Sequence, residues 1–206
     1  MDAAGFAALS GATPAQMADL ERFNALLMEW NAHMNLVGPA SLPDFWSRHV
    51  WDSAQLLKVA PDALAWADLG AGAGLPGVVL AILRKGREGF HVHLVESLGK
   101  RCRFLEAVVS DLSLPATVHN ARAEELKLHV DIVTARACAP LARLIGYAQP
   151  YLKAGAVGLF LKGQDVAADL KEATRYWDFK ASVIPSLSDP RGRIVKLEKL
   201  NGARRV

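Results

Sequence analysis

The chain has 206 residues, 51% of them hydrophobic and 22% charged, the balance of a globular domain with room for one α/β fold and some added elements. Two cysteines, Cys102 and Cys138, form no metal pattern and no disulfide framework, which fits a reducing cytosol, and no apolar run is long enough to span a bilayer. The net charge of +3 permits an anionic partner without demanding one, and the first residues lack the basic segment and long apolar stretch of a signal peptide, so a cytoplasmic location is expected.

Residues 1–12 are small and weakly patterned and are expected to be mobile. Thr13-Pro14 then marks a helix start, with Thr as N-cap and Pro at the first helical position. Met17, Leu20, Phe23, Leu27, Trp30 and Met34 recur at helical spacing, so this amphipathic helix needs a surface to lie on. Asn35-Leu36-Val37-Gly38-Pro39 breaks it. A second helix is expected from near Ser41-Leu42-Pro43 through Leu56-Leu57, with Pro61 beyond its end. Residues 1–62 thus read as an N-terminal helical extension packed on a core formed by residues 63–206, together one compact unit.

Strand candidates follow at 64–69, 91–96, 116–119, 130–135, 155–161, 180–184 and 193–199. Helices are expected between them at about 77–85, 98–112, 139–151 and 165–176, with a short turn near 123–126. This alternation predicts a mostly parallel sheet with helices on both faces. The last two strands are joined by Ser188-Asp189-Pro190-Arg191-Gly192 without a helix, so the terminal strand is expected to run antiparallel to its neighbour.

Asp68-Leu69-Gly70-Ala71-Gly72-Ala73-Gly74-Leu75-Pro76-Gly77 lies between the first strand and the helix after it, the layout of a nucleotide-type cofactor site. Gly72 to Gly77 formally fits the dinucleotide pattern G-x-G-x-x-G, and a glycine-rich turn without a ligand is a third reading. Asp68 weighs against a pyrophosphate, which seeks backbone N–H groups and positive surroundings. An acid there suits a cation. S-adenosylmethionine carries a sulfonium and an α-ammonium and no phosphate, so Asp68, Gly70, Gly72, Gly74, Leu75 and Gly77 are candidates for holding it. A seven-stranded sheet with a reversed terminal strand around such a loop is, by analogy, the Rossmann-like class I methyltransferase architecture. Glu96 ends the second strand, where an acid accepts hydrogen bonds from both ribose hydroxyls; nicotinamide enzymes share that acid. Arg122-Ala123-Glu124-Glu125 follows the third strand, where this fold seats an adenine, although paired acids also mark a solvated helix start.

The fourth strand ends in Arg136-Ala137, the place where a target base meets the methyl group. The Asn/Asp-Pro-Pro-aromatic motif of exocyclic-amine methylation is absent. No Pro precedes Cys138, which reads as an ordinary buried thiol rather than a nucleophile. Arg136 suits the O6 and N7 acceptors of guanine, with a salt bridge to Asp68 or Glu96 as its alternative role. N7 has a free lone pair, so no general base is assigned and Arg136 serves to position the substrate. Lys100, Arg101 and Arg103 follow Glu96, Lys162-Gly163 ends the fifth strand, and Arg191 and Arg193 sit in the terminal hairpin. Such a row of cations would track a phosphate backbone, a solvated surface being the alternative and the preferred reading for Arg204-Arg205. In Phe45 to Ser53, Trp46 and Trp51 read as core, while Arg48, His49 and Asp52 could face the cofactor mouth, Arg48 and His49 as further RNA contacts.

Trp30-Asn31 with Asn35-Leu36, then Arg48-His49 with Asp52-Ser53, resemble the N-terminal signature of the bacterial small-subunit rRNA guanine-N7 methyltransferases, the glucose-inhibited division protein B family. The agreement continues through Asp68 to Gly77, Glu96-Ser97, Lys100-Arg101 with Phe104-Leu105, Arg122 to Glu125, Arg136-Ala137 and Leu161-Lys162-Gly163. It runs from about Trp30 to Gly163 and leaves residues 1–12 and the C-terminal tail outside. The resemblance implies methyl transfer from S-adenosylmethionine to N7 of guanine 527 in 16S rRNA, within the small subunit or an assembly intermediate, with S-adenosylhomocysteine as product and no metal. It implies that Gly70, Leu75, Ala123, Glu124 and Arg136 contact the cofactor, and it adds Ser97 to the candidates. A methyltransferase acting on a small molecule or protein, and an RNA-binding module with a vestigial cofactor site, are the rival readings.

Overall fold

The computed structural model describes residues 1–204, which leaves Arg205 outside the described residues. The segment expected to be mobile is helical. Helix α1 (Ala3–Ser10) starts with the Asp2 carboxylate accepting the Gly5 amide at 2.8 Å and ends on Gly11 in the left-handed region. An isolated helix of this length would not persist in water. It is fixed by Phe6, which is fully buried with its ring 5.7 Å from Trp46 and 6.2 Å from Trp51.

Helix α2 (Pro14–Met34) begins as expected, with a reciprocal capping box between Thr13 and Gln16. Leu20, Phe23, Leu26 and Leu27 bury its inner face. Asn35 closes it in the left-handed region, and the Asn31 side chain accepts the Val37 amide at 2.9 Å to hold the turn. The second expected helix is not continuous. A 3-10 helix (Pro39–Asp44) leads into a π-helix (Phe45–Trp51), then into α3 (Asp52–Ala54) and α4 (Leu56–Val59). Pro39 and Pro43 supply no amide donors at the start. The wider π turn carries Phe45, His49, Val50 and Trp51 inward together.

From Ala65 onward the chain alternates: β1 (Ala65–Leu69), α5 (Gly77–Leu83), β2 (His91–Glu96), α6 (Gly99–Asp111), β3 (Ala116–Asn120), a 3-10 turn (Ala123–Glu125), β4 (Ile132–Arg136), α7 (Leu141–Lys153), β5 (Val157–Lys162), α8 (Val166–Tyr176), β6 (Trp177–Pro185) and β7 (Arg193–Ala203). The seven-stranded sheet has the order β3-β2-β1-β4-β5-β7-β6. β1 to β5 pair in parallel, and β7 runs antiparallel to both β5 and β6, as expected for a reversed terminal strand. Central strands buried on both sides read as apolar runs, as in Ile132-Val133-Thr134-Ala135. β6, at the sheet edge, largely alternates between half-buried and exposed residues.

One core lies between the sheet and α5, α6 and the N-terminal elements; the other lies between the sheet and α7 and α8. α5 is buried from Gly77 through Ile82 because it is covered by the sheet on one side and by α2 and α3 on the other. That explains its uniformly apolar sequence. β1 is flanked by β2 and β4, and the chain leaves β1 and β4 toward opposite faces. This divergence opens a crevice at the C-terminal ends of the strands.

Candidate cofactor and substrate cleft

A cleft of about 680 Å³ occupies that crevice. Gly70 to Ala73 and Leu75 form one wall, and Arg136 and Ala137 stand at the tip of β4. The π-helix contributes Arg48 and His49, and Asp52 follows them; Lys162 to Gln164 and the β6–β7 loop close the remaining sides.

The glycines divide by task. Gly70 and Gly72 are in the left-handed region and face the cleft; a Cβ on Gly70 would lie 2.6 Å from the Cys138 sulfur. Gly74 and Gly77 do not line the cleft. Side chains there would strike Val78 and Leu94, so these two glycines let α5 approach the loop and sheet.

Asp68 lies beneath the loop rather than in the cleft wall. It is fully buried, and its Oδ2 accepts the Gly77 amide at 2.8 Å. Its Oδ1 has no partner among the described residues. Burial pushes this carboxyl up to about 7, against the opposing pull of the Gly77 amide and Arg136. The Val78 amide donates to Gly74 O at 2.7 Å. Protein acceptors, one of them an acid, therefore already engage the amides that open α5, which leaves that helix end poorly suited to a pyrophosphate.

Glu96, at the end of β2, is also buried. Its two oxygens accept the Gly72 amide at 3.0 Å and the Leu98 amide at 2.9 Å, fastening the glycine loop to β2. Arg101 Nη1 is 3.8 Å from the same carboxylate. Ser97, Ala123 and Glu124, like Glu96, stand outside the cleft wall. Ser97 is exposed, Ala123 O accepts the Tyr151 hydroxyl at 2.9 Å, and Glu124 borders a separate groove with Tyr147 and Trp177.

Among the described residues, the partners that hold Arg136 all come from the N-terminal extension. Nη1 donates to Arg48 O at 2.7 Å and lies 3.4 Å from Asp52 Oδ2, and Nη2 meets His49 Nδ1 at 3.0 Å. The alternative role, a salt bridge to Asp68 or Glu96, is not what forms: the acid that pairs with Arg136 is Asp52. Burial lowers the guanidinium pKa and Asp52 opposes that, so a cation sits in a largely desolvated place.

Over residues 16–194 the chain matches the family described as rRNA small subunit methyltransferase G. The chain belongs to that family. A ribosomal RNA small subunit methyltransferase G of Caulobacter vibrioides is 65% identical over 204 residues, covering 99% of this chain and 94% of the relative. One from Methylorubrum populi is 50% identical over 185 residues, covering 88% of each. Among solved structures, a SAM-dependent methyltransferase from Aquifex aeolicus superposes with a TM-score of 0.56 at 14% identity, over 80% of this chain and 95% of that one, which establishes the shared fold.

In this member of the methyltransferase G family the predicted basic row is only partly in the cleft. Arg48, Arg101, Arg191 and Arg193 line it, whereas Lys100 and Arg103 are exposed on α6 outside it. Lys162 lines it but is paired with Asp169 of α8 and donates to Ala139 O at 3.1 Å. Arg191 is turned onto Asp189, and Arg193 donates to Pro190 O and Gly192 O. The Cys138 thiol is pushed up by burial and by Asp68 and Glu96, which suits an inert thiol.

Two polar groups had no sequence signal pointing to the cleft. Ser41 meets His49 Nε2 at 3.1 Å. Gln55, 1% exposed, donates to Ser186 Oγ at 3.0 Å and accepts the Leu187 amide at 2.8 Å. A lone glutamine three residues after Asp52 in an apolar run was the only trace of the latter.

Proposed function

We propose that this chain transfers the methyl group of S-adenosylmethionine to N7 of a guanine in 16S rRNA, guanine 527 on the resemblance drawn above, and releases S-adenosylhomocysteine. The observation that carries the reading is that Arg136 lines the same cleft as Gly70 and Gly72, whose loop leads into a helix terminus already occupied by Asp68. The names of the relatives support rRNA as the substrate.

The residues fit the cofactor. Gly70 and Gly72 give a wall without side chains, and Leu75 adds an apolar contact. Glu96 uses one lone pair on each oxygen for the loop, which leaves acceptor capacity for two ribose hydroxyls. Asp68 acts through the loop, by fixing the start of α5, and a cationic ligand above it would favour its ionised form. When bound, S-adenosylmethionine supplies an electrophilic methyl on a sulfonium. Guanine N7 carries a lone pair and no proton, so no residue need act as general base. A donor placed on N7 would consume that lone pair, so Arg136 acts on O6 and leaves N7 free to attack in line. Ser97, Ala123 and Glu124 lie outside the cleft, and their place near the adenine end is carried over from the resemblance alone. Arg48, His49, Lys100, Arg101, Lys162, Arg191 and Arg193 form the RNA-facing side, Lys162 and His49 by holding neighbouring structure. The substrate is the small subunit or its assembly intermediate, in the cytoplasm.

Calorimetry with S-adenosylmethionine and with NAD separates the cofactor readings; binding of NAD alone would refute this one. Methyl transfer onto undermethylated small subunits, followed by cleavage mapping at N7-methylguanine, tests the product. RNA affinity is expected to fall steeply between 50 and 200 mM salt while cofactor affinity hardly changes; a flat RNA response would favour a small-molecule substrate.

A further inference from the structure

We propose that His49, as a neutral imidazole, is a positioning residue that sets the orientation of the Arg136 guanidinium. The inference rests on the substrate role given to Arg136 above.

The hydrogen bonds settle the tautomer. The Ser41 hydroxyl donates to Gly38 O at 2.7 Å, so its oxygen is left to accept from His49 Nε2–H at 3.1 Å. His49 Nδ1 is then unprotonated and receives Arg136 Nη2 at 3.0 Å. A protonated ring would face the guanidinium with a donor. Burial and the charges of Arg136 and Arg48 pull the imidazole down to about 4, which keeps the acceptor in place at neutral pH.

The other partners of Arg136 among the described residues come from the same segment: Arg48 O and Asp52 Oδ2 both serve Nη1. Among the described residues His49 alone engages Nη2, and so fixes the rotation of the planar group. Asp52 ties that orientation to the far wall, because its Oδ1 accepts the Ser188 hydroxyl at 2.6 Å.

The test compares His49→Asn, His49→Gln and His49→Ala in single-turnover methyl transfer. Asn places an acceptor near the Nδ1 position, Gln places it a bond farther out, and Ala has none. We expect His49→Asn to keep most of the wild-type rate, and the other two to lose on the order of 100-fold in rate at saturating RNA and cofactor, a larger loss than in either affinity. In an Arg136→Ala background, His49→Ala should add no further loss. Additive losses, a wild-type rate in His49→Ala, or a folded His49→Asn as slow as His49→Ala would overturn the proposal. Nitrogen-15 NMR gives a readout independent of activity: the His49 ring should show the Nε2–H tautomer at pH 7, and an Nδ1–H tautomer or an imidazolium would refute it. If the wild type methylates no small-subunit RNA, the functional reading fails, and the NMR signature still decides the role of His49.

Discussion

Asp68 shows how one side chain can be placed correctly along the chain and still face an unexpected way. Successive residues of a strand point to opposite sides. Trp66 belongs to the core under α5, whereas Ala67 and Leu69 belong to the other core. Asp68 therefore points with Trp66, toward α5, and bonds the Gly77 amide instead of opening into the cleft. Its burial makes stability depend on pH. The unfolded chain ionises this carboxyl near 3.8 and the fold near 7. Below the lower value its contribution is complete; as pH rises toward the upper value, the unfolded state sheds a proton that the fold retains, and stability falls by up to about 1.4 kcal/mol per unit. Asp68→Asn keeps an acceptor for Gly77 and removes the charge. The difference between variant and wild type in urea unfolding should grow in favour of the variant from pH 4.5 to 7 and then level; parallel profiles would rule the burial effect out. The glycine loop was legible as a tight strand-to-helix connection, but the division of its four glycines between cleft wall and helix packing was not.

Among the elements, the strands of the parallel sheet were readable because burial on two faces leaves a continuous apolar run; β4 and β5 lie within two residues of their expected bounds. α1 was not readable, because Phe6 alone anchors it and a single aromatic makes no period. Phe6→Ala should cost about 3–5 kcal/mol, a large cavity beside Trp46 and Trp51, with a cooperative transition retained in chemical denaturation. A loss below about 1 kcal/mol would mean that α1 contributes nothing to the core. The π-helix was hidden for another reason. Its carbonyls and side chains are arranged around Arg136, a residue 88 positions from Arg48, and local propensity carries no trace of that partner.

At the scale of the molecule, residues 39–59 of the extension form part of the site, because they hold Arg136 and, through Gln55, the β6–β7 loop. Trp51 Nε1 adds a bond to Leu187 O at 3.1 Å. Gln55→Ala should leave the Leu187 amide without its acceptor and cost about 1–3 kcal/mol. Hydrogen exchange over residues 186–193 should accelerate and RNA affinity should fall, with cofactor affinity retained; unchanged exchange would show that the loop does not depend on this clamp. The methyltransferase architecture came only by analogy with a known fold, and no strand order was read from the sequence. Periodicity identifies the strands, but nothing in it places β7 between β5 and β6.

The Asp68–Gly77 contact also bears on life among phosphates. A nucleotide or free phosphate seeking the start of α5 must displace a carboxylate that is covalently part of the protein. Held in orientation, that group competes at an effective concentration far above any metabolite in solution. The start of α5 thus carries its own tethered competitor against anions, one that weakens as the Asp68 carboxyl takes up a proton.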